Sequence, residues 1–172
     1  NYKLAEQEFE AKKKLAEKHK ITPNRLVISA GSVALMDMSI KTFVNFDENI
    51  VVPDVTFVGY KYMAKVNRRA CKLAPIKDNK IDLNKIINLC DEKTKIIFLA
   101  NPNNPTGTML THAELRKFMI DLPPTVNVVS DEAYSDYITD SQYPDTMALQ
   151  EQYPNLIIFR TFSKIYGLAG LR

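Results

Sequence analysis

Cysteine and histidine are both scarce in this chain of 172 residues. Cys71 and Cys90 are the only cysteines, and with His19 and His112 as the only histidines no metal-ligand spacing forms. That argues against a zinc site. Two cysteines with no framework read as free thiols in a reducing cytoplasm. No stretch approaches the ~20 consecutive apolar residues of a membrane span. The N-terminus is polar from its first residues, so no signal peptide is visible. A basic surface is also lacking. The formal net charge is +3, and the one tight basic run, Lys12-Lys13-Lys14, lies among Glu6, Glu8, Glu10 and Glu17. Such mixing marks the wet face of a helix and not a nucleic-acid footprint. Internal repeats, low-complexity segments and linker-like boundaries are absent too.

What remains is an ordinary globular composition, 45% hydrophobic and 25% charged, in a chain long enough for one domain with a real core. Its pattern alternates. Residues 4–20 carry Leu4, Phe9, Leu15 and Ala16 among charges and predict a solvated helix. Leu26-Val27-Ile28 predicts a strand, and a mostly buried helix opens at Ser32 (Val33, Ala34, Leu35, Met36, Met38, Ile40). A strand at 50–52, a helix at 60–66 and a short strand at 70–75 follow. Asp82 is placed to cap a helix carrying Leu83, Ile86, Ile87 and Leu89. Residues 95–100 predict a strand. Thr111 and Glu114 have capping-box spacing. Two more strands are expected at 126–129 and 156–159. Short β-branched strands alternating with helices imply βαβ units and a mainly parallel sheet, an α/β fold.

In such sheets ligands sit beyond the carboxyl ends of the strands. Polar and small residues recur at those positions: Gly31-Ser32, the turn-rich Asn101-Pro-Asn-Asn-Pro-Thr-Gly107, Asp131, and Lys164. Asp131 ends a buried strand, where an acid is hydrogen-bonded or paired. Capping a local turn is the plainer role for it. Lys164 stands just past the strand Leu156-Ile157-Ile158-Phe159, between Thr161 and Ser163 and upstream of Arg172. A lysine among groups suited to an anion has the setting of an imine-forming lysine beside a phosphate. A solvated surface lysine is the plainer reading of that residue alone.

Taken together, Asn101-Pro-Asn-Asn-Pro-Thr-Gly107, Asp131-Glu-Ala-Tyr134, Thr161-Phe-Ser-Lys164 and Gly167-Leu-Ala-Gly-Leu-Arg172 resemble the fold type I enzymes that use pyridoxal 5'-phosphate, the aspartate aminotransferase superfamily. The nearest likeness is to the histidinol-phosphate aminotransferase branch, and it extends over essentially the whole chain. The resemblance implies a three-layer αβα large domain. Lys164 would form the internal aldimine and then move the proton. Asp131 would pair with the pyridine nitrogen, favouring the protonated ring that acts as electron sink. Tyr134 and Asn104 would hydrogen-bond the phenolic oxygen, and Ala133 is small enough for a ring to lie over it.

For the phosphate, the likeness implies the backbone at Ser32 and Val33, where a helix starts, the hydroxyls of Thr161 and Ser163, and Arg172. Relatives often carry a polar residue where this chain has Val33, so only its backbone is proposed as donor. Gly167 and Gly170 let the loop approach closely. Phe57 matches the aromatic that stacks on the pyridine face, often tyrosine in relatives; a core phenylalanine is the other reading. Tyr2 matches a tyrosine that reaches the phosphate of the neighbouring subunit. The Asn104–Pro105 peptide is expected to be cis.

The implied reaction is ping-pong transamination, from an amino donor such as histidinol phosphate to a 2-oxo acid, in a cytoplasmic homodimer without metal, nucleic acid or membrane. Decarboxylation of threonine phosphate and a non-catalytic, regulatory pyridoxal-phosphate module are the alternatives. Complete relatives continue with further strands and a C-terminal small domain that carries the arginine for the substrate carboxylate. Residues 1–172 are therefore expected to be an incomplete large domain, inactive by itself.

Overall fold

The computed structural model describes residues 2–170, and side chains from residue 7 onward. It contains two compact units, residues 1–30 and 31–172. The first unit holds α1 (Tyr2–His19) and a 3-10 turn (Pro23–Arg25). Helix α1 ends where Lys20 takes φ 56° and the Ile21 amide donates to the Ala16 carbonyl at 2.9 Å. The strand expected at 26–28 does not form. Leu26 has extended dihedrals, but no strand pairs with the segment among the described residues and Val27 is 57% exposed. A β-branched triplet favours extended backbone; only a neighbouring ladder makes it a strand.

The second unit runs α2 (Ser32–Phe43), β1 (Asn49–Pro53), α3 (Gly59–Val66), β2 (Ala70–Ala74), α4 (Leu83–Leu89), β3 (Thr94–Ala100), α5 (His112–Asp121), β4 (Asn127–Asp131), α6 (Thr146–Gln152) and β5 (Leu156–Phe159). The five strands form one sheet in the order β2-β1-β3-β4-β5, every pair parallel. Strand residues alternate between two cores. Val51, Ile97, Leu99, Val128 and Leu156 pack with Ile86, Leu115, Phe118 and Leu149 of α4, α5 and α6. Ile50, Val52, Ile96, Phe98 and Val129 pack with Met36, Ile40, Tyr60 and Ala64 of α2 and α3. Both faces of the central strands β1 and β3 are covered, which is why those strands read as continuous apolar runs. Each fully buried large side chain contributes roughly 1.5–3 kcal/mol. The unit is a three-layer αβα sandwich.

Local chemistry sets the helix starts. Asp82 accepts from the Lys85 amide at 3.1 Å and caps α4. Thr111 and Glu114 form the complete capping box of α5. Asp145 accepts from the Ala148 amide at 3.1 Å and starts α6, a helix the hydrophobic pattern leaves unmarked. Helix α2 buries Met36, Ser39 and Ile40, while Val33 and Met38 are 43% and 46% exposed. It is amphipathic rather than mostly buried. No helix among the described residues is long and apolar enough to cross a membrane.

The sheet order places the site. From β1 the chain steps outward to β2, then returns to lay β3 on the other side of β1. Crossovers leaving in opposite directions open a crevice beyond the carboxyl ends of β1 and β3. The ends of β3, β4 and β5 are level, with Ala100 opposite Asp131 and Asp131 opposite Phe159.

Candidate functional site

Strand periodicity sorts the acids at the end of β4. Val129 lies in the core shared with α2 and α3, and Asp131 extends the same face. Its Oδ2 accepts a hydrogen bond from the Tyr60 hydroxyl at 2.8 Å. Ser130 and Glu132 point the other way, where Glu132 accepts from Ser130 at 3.2 Å and from Thr146.

Asp131 is 5% exposed. Its Oδ1 is the one buried side-chain oxygen or nitrogen without a hydrogen-bond partner among the described residues. Burial pushes its carboxyl above the ordinary aspartate value. The Tyr60 hydroxyl, the Ala133 amide and the Lys164 charge pull it down less strongly. A buried carboxylate with an empty acceptor lacks a donor, and a protonated ring nitrogen is a donor of the right kind.

The turn after β3 is held by two of its asparagines. The Asn101 side chain accepts from the Leu110 amide at 2.8 Å and donates to the Leu110 carbonyl at 3.2 Å. Asn103 Oδ1 accepts from the Thr56 hydroxyl at 2.8 Å, and its Nδ2 donates to the Val55 carbonyl at 3.0 Å. These bonds lock the turn to the loop after β1. Asn104 is left half-buried, its side chain making no hydrogen bond among the described residues. The Asn104–Pro105 peptide is cis, and so is Asn101–Pro102.

Phe57 is half-buried. Its ring meets Tyr60 edge-on, at 5.6 Å between centroids and 86° between planes. Room for it depends on Gly59, where a Cβ would stand 2.3 Å from the Phe57 ring. Tyr60 in turn stacks on Phe98 at 5.0 Å and 11°. Half-buried Tyr134 follows Asp131 by three residues, and the Lys164 ammonium lies 5.3 Å from its ring centre.

Lys164 is exposed. Before it, the Ser163 amide donates to the Thr161 hydroxyl at 3.1 Å, and that hydroxyl donates to Ser163 Oγ at 3.0 Å. After it the loop turns back, the Gly167 amide reaching the Lys164 carbonyl at 3.0 Å with Gly167 at φ 64°.

The structure thus links Phe57, Asp131, Tyr134 and Lys164 in one neighbourhood, through Tyr60, the end of β4 and the Lys164–Tyr134 contact. Ser32 and Val33 open α2 behind Gly31 at φ 91°. No hydrogen bond joins them to Thr161 or Ser163 among the described residues. The Tyr2 side chain and Arg172 lie outside the described residues.

Sequence reasoning missed two participants. The sequence marks Tyr60 only as the start of a helix; its place three residues after Phe57 is the one signal available. The sequence shows Glu132 only as part of a motif, yet its side chain is fully buried and bonded by Arg160 through Nε and Nη2, both at 3.0 Å.

Comparison with known proteins decides the family. The model of aminotransferase class I and II matches residues 5–172. The chain belongs to this family. The histidinol-phosphate aminotransferase of Staphylococcus carnosus (strain TM300) is 41% identical over 162 residues, which are 94% of this chain and 46% of that protein. The chain therefore spans about half the length of this curated relative. Among solved structures, the histidinol-phosphate aminotransferase of Sinorhizobium meliloti in complex with pyridoxal-5'-phosphate superposes with a TM-score of 0.86 at 28% identity, over 94% of this chain and 44% of that one. The L-threonine-O-3-phosphate decarboxylase of Porphyromonas gingivalis superposes with a TM-score of 0.79 at 22% identity, over 95% and 47%. At that identity the likeness is one of fold alone.

Proposed function

We propose that this chain is the cofactor-binding large domain of a pyridoxal-phosphate-dependent aminotransferase, one that moves an amino group from histidinol phosphate to a 2-oxo acid and works as a homodimer. The observation that carries the reading is the unpartnered Oδ1 of buried Asp131, in the neighbourhood that Lys164 and Phe57 share. That neighbourhood brings together an acceptor for a ring nitrogen, an aromatic ring and a primary amine. Identity of about 40% to histidinol-phosphate aminotransferases supports the choice of donor.

The bound cofactor supplies an electron sink for charge developing at the substrate's α-carbon. This chain's residues would hold and orient it. Asp131 would accept the ring N–H and so favour the protonated ring. Phe57 offers a face to the ring, with its own orientation set by Tyr60 and Gly59. Asn104 and Tyr134 would donate to the phenolic oxygen. Thr161, Ser163, the amides of Ser32 and Val33, and Arg172 would bind the phosphate. Tyr2 is assigned to the phosphate of the neighbouring subunit. Lys164 would hold the cofactor through its amine and, when that amine is free, its Nζ would take and return the proton of the substrate's α-carbon.

Steady-state assay of the full-length protein with pyridoxal phosphate, histidinol phosphate and 2-oxoglutarate tests this reading. The expected result is parallel-line kinetics with glutamate as product. Equal or better turnover of aromatic or acidic donors would remove the assignment to histidinol phosphate. Release of carbon dioxide in place of a keto product would remove transamination.

A further inference from the structure

We propose that Tyr60 is a positioning residue for this site, fixing which oxygen of Asp131 faces the cofactor and, through the same ring, the orientation of Phe57. The inference rests on the reading of the site as one for pyridoxal phosphate and adds a residue that the motifs do not contain.

The geometry is specific. Tyr60 is completely buried. One face of its ring stacks on Phe98 at 5.0 Å and 11°, and the Phe57 ring meets it at 86°. Stacking leaves the ring no freedom to swing, so the hydroxyl is a fixed point. That hydroxyl donates to Asp131 Oδ2 at 2.8 Å. A carboxylate has two equivalent oxygens and turns easily about its last torsion. Here one oxygen is anchored and the other, Oδ1, has no partner. The anchored bond selects the acceptor and aims it.

The donor is also permanent. Burial, with the Asp131 charge as the next cause, pushes the Tyr60 hydroxyl well above the ordinary tyrosine value, so it stays protonated. A neutral donor also stabilises a buried carboxylate without neutralising it, leaving its charge for the ring nitrogen. Arginine or lysine in this position would compete for that charge.

The test is a double-mutant cycle in the full-length protein, with Tyr60→Phe, Asp131→Asn and their combination. The readout is affinity for pyridoxal phosphate, measured by titrating the apoprotein. A second readout is the pH dependence of the bound cofactor's visible absorbance. Tyr60→Phe is expected to weaken binding about tenfold, the size of a lost hydrogen bond to a charged group, and to shift the absorbance titration. In the Asp131→Asn background it is expected to change affinity by less than about twofold, because the two residues act as one unit.

Equal losses in both backgrounds, or a lowered Tm with wild-type affinity and titration, would overturn the role. 3-Fluorotyrosine at position 60 keeps the ring and its hydroxyl and makes the donor more acidic, at the cost of one added fluorine. It should shift the same titration, and an unchanged titration counts against the role. Failure of the cofactor reading is separable: borohydride would then leave no pyridoxyl group on Lys164 of the wild-type protein, and this inference would fall with it.

Discussion

Glu132 and Arg160 form an ion pair across the carboxyl ends of β4 and β5, with the Glu132 side chain fully buried and that of Arg160 42% exposed. The Glu132 amide also donates to the Phe159 carbonyl at 2.9 Å. The pair therefore ties Asp131, one residue before Glu132, to the loop that carries Lys164. Burial raises the Glu132 carboxyl above the ordinary glutamate value, and the Arg160 charge is the largest cause opposing it.

Replacing Arg160 with methionine leaves a buried carboxylate with only hydroxyl donors. Breaking a fully buried pair costs about 3–5 kcal/mol. Because Arg160 is partly solvated, a loss of about 2–3 kcal/mol is expected. The sign with pH follows. Without Arg160 the folded-state value of Glu132 rises further, so the deficit is largest at high pH and shrinks as falling pH protonates the group. Urea unfolding at about pH 8 and about pH 5 measures this.

Asp131 gives a related prediction for the apoprotein. Its folded-state value is raised by burial above 3.8. A carboxyl of this kind favours folding most below its unfolded value and loses that advantage as pH climbs toward the folded value. Asp131→Asn should therefore raise the Tm of the cofactor-free protein relative to wild type, increasingly from about pH 4 upward. The same variant should bind pyridoxal phosphate more weakly. Thermal melts across pH with a constant difference would contradict the first half.

Gly59→Ala separates site from fold. The new Cβ would stand 2.3 Å from the Phe57 ring, so the half-exposed ring must move. Gly59 opens α3, where alanine is the better helix former by up to about 1 kcal/mol. Stability should be unchanged or slightly higher. Pyridoxal phosphate affinity should fall by about 3–10-fold, of the order of a lost aromatic contact. Calorimetric melting beside cofactor titration tells the two apart.

Asn103→Ala removes the bonds to Thr56, Val55 and Thr106. At roughly 1 kcal/mol each, a loss of about 3 kcal/mol is expected. Asn104 is the next residue, so cofactor affinity should drop as well. Faster amide exchange across 101–107, with α4 unaffected, would show that the effect is local.

Much of this architecture is readable from local chemistry. The apolar runs at 95–100 and 156–159 become strands, the first buried on both faces and the second buried at Leu156 and Phe159, and Asp82 and Thr111 cap the helices their spacing suggests. Three features are not readable. Leu26-Val27-Ile28 has strand composition, but pairing depends on a neighbour that composition does not reveal. Helix α6 carries its apolar residues as one consecutive run, Met147-Ala148-Leu149, so no helical stripe emerges. The bond from Tyr60 to Asp131 spans 71 positions, and that from Arg160 to Glu132 spans 28. Contacts of that separation exist only once the sheet has ordered its strands. The motifs point to strand ends; the fold decides which side chains stand behind them.

The most direct measurement is made on the full-length protein. Pyridoxal phosphate is added, the complex is reduced with borohydride and digested, and the modified peptide is mapped by mass spectrometry. A pyridoxyl group on Lys164 is the predicted result. Folded protein that carries no adduct, or carries it on another lysine, would contradict the assignment of this site.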